Sequence, residues 1–88
     1  MANKRTLKKN IRKTCESLFA ETLAIALYGP EKDKENLEAL LNSIVSINND
    51  FLDRVSHPEP GMSASDYYRD LTDKFMAQIG EIEDQLNN

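Results

Sequence analysis

The strongest constraint on this chain is a pattern: apolar residues recur at three- and four-residue steps in three segments of nearly equal length, divided by two short breaks. In the first segment Leu7, Ile11, Cys15, Leu18, Thr22 and Ile25 share one face of a helix. The second carries Leu37, Leu40, Leu41, Ile44, Ile47, Asn48, Phe51, Leu52 and Val55, and the third Tyr68, Leu71, Phe75, Ile79, Ile82 and Leu86. Strand signals are missing, since the chain has only two valines, no alternating run and neither an Asn-Gly nor an Asp-Gly turn.

The breaks have the right chemistry to end and restart helices. Gly29-Pro30 stops the first, and Asp33 is placed to cap the second, its carboxylate accepting from free backbone N–H groups at the positive helix end. Pro58 drives His57 out of helical geometry. Ser63-Ala64-Ser65-Asp66 then has the form of a capping box with Asp in place of the usual Glu. The spacing predicts helices over 4–28, 34–56 and 63–86. Each is roughly 35 Å long at 1.5 Å per residue, and the short connections make neighbours antiparallel. The expected architecture is therefore an all-α, up-down-up antiparallel three-helix bundle, one domain over residues 1–88. Stacking the stripes end to end predicts core layers that run from Leu7 with Val55 and Tyr67 or Tyr68, through Cys15 with Asn48 and Phe75, to Ile25 with Leu37 and Leu86. Gly80, inside the third helix, is the expected point of bending or fraying.

Composition agrees with a folded chain of this kind: 88 residues, 40% hydrophobic and 30% charged, give one core and no second domain. Cys15 is the single cysteine, so no intrachain disulfide can form and a cytoplasmic location is expected. A basic start followed by the apolar LFAETLAIALY of residues 18–28 has the outline of a secretion signal, but Glu16 and Glu21 interrupt it. No run reaches the 18 or so apolar residues of a membrane span, and no membrane role is expected.

The second break, SHPEPGM at residues 56–62, holds the only histidine. Glu59-Pro60-Gly61-Met62 suits a type II turn with Pro second and Gly third, so connector work accounts for the segment. His57 and Glu59, with Asp53 nearby, are the loop candidates for a metal or acid–base role. A metal needs three or four converging ligands, and Cys15 lies on a different level. Neither a metal, a cofactor nor a catalytic residue is expected, and the chain reads as a non-enzyme. Cys15 itself reads as a small buried apolar group, with no base at a recognisable spacing.

LFAE at 18–21, SHPEPGM at 56–62 and YYRDL at 67–71 resemble segments of small, uncharacterised all-helical proteins of Bacteroides-type gut bacteria, a likeness that spans nearly the whole chain. The resemblance implies a compact helical fold and transfers no functional residue.

Two features bear on partners. Lys4, Arg5, Lys8, Lys9, Arg12 and Lys13 all precede the first acid, Glu16, and the remainder holds 5 basic against 15 acidic residues. Basic groups in a helix's first turns oppose its dipole. Either they pair with Asp50, Asp53, Glu59, Asp66 and Asp70 across the bundle, the favoured expectation, or they contact phosphates of a nucleic acid or an acidic partner. The second feature is surplus hydrophobicity. Phe19, Leu23 and Leu27 form a stripe turned away from the Leu18–Ile25 face, with Val45 and Met76 also off their main stripes; these five are either extra core or a surface for another protein or a second copy. Asn48 is expected as a register-fixing core amide near Cys15.

Overall fold

A computed structural model describes residues 4–29 and 34–87 as three α-helices: α1 (Lys4–Tyr28), α2 (Lys34–Ser56) and α3 (Ala64–Asn87). There is no strand among the described residues. The up-down-up bundle follows, with long dimension 48 Å against 18 and 17 Å across.

The helix ends are where the breakers put them. At the end of α1 the Gly29 amide donates to the Ile25 carbonyl at 2.9 Å, and a Cβ at that position would lie 2.5 Å from the same oxygen, so only glycine fits. The expected cap at Asp33 lies outside the described residues. Gly61 has φ 97°, the left-handed value that the third position of a type II turn requires. Ser63 caps α3 through its Oγ, which accepts from the Asp66 amide at 3.2 Å, so the helix starts one residue later than the sequence pattern predicts.

The core is built from one stripe per helix. Leu7, Ile11, Cys15 and Leu18 of α1 meet Leu40, Ile44, Ile47, Phe51 and Val55 of α2 and Leu71, Phe75, Ile79 and Ile82 of α3, all buried. Phe51, wholly inaccessible, meets the Phe75 ring edge to face with centroids 5.3 Å apart. Thr22 is buried too, its hydroxyl donating back to the Leu18 carbonyl at 2.8 Å, which is how a polar side chain sits in an apolar layer without an unmet bond. Ile25, Leu37 and Leu86, at the far end, are half-buried.

Asn48 is not the core amide expected from its place in the α2 stripe. It is half-buried, and its side-chain amide donates at 3.3 Å to the neighbouring Asn49 carboxamide. A slight rotation of α2 turns Ile44, Ile47 and Phe51 inward and carries residue 48 to the edge of the seam with α1.

Cys15 behaves as a core atom. It is 3% exposed, and burial pushes its thiol above the ordinary value because the thiolate would lose its hydration. A raised native value means that the folded chain holds this proton where the unfolded chain releases it. Stability therefore falls as pH rises past the unfolded thiol's titration near 8.5. The expected outcome is that a thiol reagent reacts with native protein at neutral pH orders of magnitude more slowly than with protein in denaturant; equal rates would mean that Cys15 is accessible.

α3 runs through Gly80 without a break to Asn87, so the expected fraying point is continuous helix. A Cβ there meets nothing within 4 Å. Gly80→Ala should therefore stabilise the fold by about 0.5–1 kcal/mol through lower entropy of the unfolded chain, read as a rise in the urea midpoint without a change of slope.

Candidate interaction surface

Three seams run the length of the bundle, and they differ in what lines them. The α2/α3 seam has buried Leu40, Ile47 and Ile82 beneath a polar border of Asn42, Ser43, Ser46, Gln78 and Gln85. The α1/α3 seam holds two hollows of about 370 and 190 Å³, where Thr14 and Met76 border both and Lys13, Glu21 and Glu83 lie at the rim of the larger. The α1/α2 seam is the one where both helices contribute exposed aliphatic side chains, Leu23 and Val45. There a groove of about 470 Å³ is lined by Phe19, Ala20 and Leu23 from α1 and by Ile44 and Val45 from α2, with Arg12, Glu16 and Asn48 at its edges and Cys15 in its floor.

This groove gathers three of the five surplus apolar residues. Phe19 is half-buried against the core, whereas Leu23 is 38% and Val45 45% exposed. Leu27, 64% exposed, continues the α1 stripe one turn beyond Leu23. Met76, also exposed, sits on α3 in the α1/α3 seam and is not part of the same surface. The half-buried Leu41 and Leu52 lie one turn above and two turns below Val45 on the same side of α2, so the apolar strip extends past both ends of the groove. Their place was hidden in the sequence because both also fit the core stripe of α2.

The basic residues of α1 do not pair as expected. Lys4, Arg5, Lys9, Arg12 and Lys13 are exposed and Lys8 half-buried, and no ion pair joins any of the six to another described residue. Three of the five carboxylates expected to meet them instead face a partner four residues on in their own segment: Asp50 with Arg54 at 3.0 Å, Asp70 with Lys74 at 2.9 Å and Asp53 with His57 at 3.3 Å. An i,i+4 partner is already held at the right separation by the helix, whereas an interhelix pair must order two long side chains. Arg54 also lies 4.9 Å over the Phe51 ring, a second reason for it to stay where it is.

The 56–62 break is a connector. His57 is exposed, and its Nδ1 lies 3.0 Å from the Asp53 carbonyl and 3.3 Å from the Asp53 carboxylate; both are acceptors, so this nitrogen carries the proton. Glu59 is exposed on the loop. Among the described residues no three of His, Cys, Asp and Glu converge as a metal site would require. The residues that close this end of the bundle are the tyrosines: the Tyr67 hydroxyl donates to the Arg54 carbonyl at 2.9 Å and the Tyr68 hydroxyl reaches the Val55 carbonyl at 3.5 Å. Both hydroxyls reach carbonyls in the last turn of α2, and the Arg54 carbonyl accepts from the His57 amide at 3.3 Å as well. Adjacent tyrosines just after a helix start were the available signal, and nothing in their spacing says which backbone atoms they would meet.

No helix is long and apolar enough to cross a membrane among the described residues. No protein-family model matches the chain, and the searches of curated proteins and of solved structures likewise gave no match.

Proposed function

We propose that the chain is a non-enzymatic helical protein–protein interaction module acting in the cytoplasm, and that its contact surface is the apolar α1/α2 groove. The observation that carries this reading is that the α1/α2 seam brings together exposed Leu23 and Val45 with half-buried Phe19, whereas Met76 is the one exposed large apolar side chain lining the α1/α3 hollows. Apolar side chains that are left in water on one face gain by meeting another apolar face, at roughly 25 cal/mol per Å² removed from solvent. The resemblance to small helical proteins of Bacteroides-type bacteria accords with a compact scaffold of this kind, and the buried thiol of Cys15 needs no oxidising compartment.

Leu23→Glu and Val45→Glu place a carboxylate in the groove without touching the buried stripe. Each should abolish the complex formed by the wild-type chain, whether with itself or with another protein, while far-UV circular dichroism and the thermal midpoint stay close to wild type. Loss of helicity together with loss of the complex would return these residues to the core and remove the reading.

A second reading has an observation of its own: six cations on the N-terminal half of α1, none in an ion pair with another described residue, suit contact with phosphates or an acidic partner. If nucleic acid is the partner, a fluorescent oligonucleotide binds at low salt and its affinity falls steeply with salt concentration, with Lys9→Glu and Lys13→Glu weakening it further. No binding at 20 mM salt would eliminate this reading.

A further inference from the structure

Resting on the interaction-module reading, we infer that the occupant of the α1/α2 groove is a second copy of this chain, packed antiparallel, so that the N-terminal end of one α1 lies beside the C-terminal end of the other. The charge distribution selects that occupant over another protein, and the area and the strip fit it.

The first observation is electrical. In the half of the bundle formed by residues 4–15 and 48–75 there are nine basic and six acidic residues; in the opposite half, among residues 16–28, 34–47 and 76–87, there are one basic and seven acidic. The ends of the molecule thus carry opposite net charge along a 48 Å axis. Backbone dipoles add to this polarity, because α1 and α3 both start at the basic end and only α2 starts at the acidic one. None of the six α1 cations has an ion pair with another described residue to cancel it. Two such rods set side by side repel at their ends when parallel and attract when opposed. An inverted second copy is therefore a complementary partner that the chain itself supplies.

The second observation is area. The accessible surface is 6237 Å². A face 48 by 18 Å is large enough to cover the roughly 800 Å² per partner that a stable interface takes.

The third is the arrangement of the strip itself. Phe19, Leu23 and Leu27 rise from α1 on one side of the groove and Val45, with Leu41 and Leu52, from α2 on the other. A two-fold axis through the face sets the α1 ridge of each copy into the groove of the other, which gives a closed, self-complementary contact and no open filament.

Absolute mass by light scattering over a concentration series should show conversion from 10.0 kDa to twice that mass. Leu23→Glu should abolish the conversion, as should Leu27→Glu at a position too exposed to matter for folding, both with unchanged circular dichroism. Orientation is read from a spin label on Lys9→Cys in a Cys15→Ala background. With the axis near Ala20, label-to-label separation in the antiparallel dimer is about 30 Å at 1.5 Å per residue, against less than roughly 20 Å in a parallel one. Raising the salt concentration should weaken the dimer several-fold by screening its ends. A dimer with the short distance, or one that both leucine variants leave intact, overturns the inference. A monomer at every concentration that still forms a complex with another protein, lost in Leu23→Glu, overturns the second-copy occupant and leaves the interaction-module reading standing. A monomer with no groove-dependent complex removes both.

Discussion

Three helices around one axis can each bury a single stripe, and the structure depends on how that limit is met. The thirteen buried apolar residues fill the space between α1, α2 and α3, with Phe51 and Phe75 locked edge to face near the middle. α3 spends nearly all of its large apolar side chains on the core and is left with Met76. α1 has more than its share, because Phe19, Leu23 and Leu27 repeat at four-residue steps on a second face. A fourth helix would bury that face. Without one it stays in water beside Val45, and the groove is the consequence of a core that is already full.

Much of this was legible in the sequence. The boundaries of α1 and α2 fall where Gly29 and Pro58 require them, since a glycine with no room for a Cβ and a proline that forbids helix in its predecessor are local facts. The buried stripes were legible because 3.6-residue periodicity selects a face. That periodicity fixes the face only to within a few tens of degrees, and Asn48 shows the cost: it lies close enough to the stripe to be taken for core, and far enough from it to sit at a seam. Leu41 and Leu52 were ambiguous in the same way. No pattern in one helix says how far it is rotated against its neighbours.

The charges were harder to read for a different reason. Counting basic and acidic residues at the same end of a bundle suggests that they meet, but distance along the axis is a weak constraint on flexible side chains at the surface. Asp50, Asp53 and Asp70 each have a cationic partner, or a histidine, four residues on, and that proximity is available before the helices even assemble. What survives is the long-range part of the expectation. The basic start of α1 still shares its end with six carboxylates, which lower the net positive charge there without neutralising it.

In the proposed antiparallel dimer, affinity and orientation would reside in separate parts of the molecule. The strip from Phe19 to Leu27 and from Leu41 to Leu52 is non-directional: apolar area is gained whichever way a partner helix runs across it. The opposed end charges add little contact energy at physiological salt, where the screening length is about 8 Å, yet they act before contact and penalise like ends brought together. A small bundle with both features can therefore use its hydrophobic surplus to associate and its polarity to choose the geometry. The same division explains why the cations of α1 are tolerated at the positive end of their own helix: the unfavourable dipole contact is a local cost of a few tenths of a kcal/mol, while the charge they place at that end is what makes an inverted neighbour the preferred one.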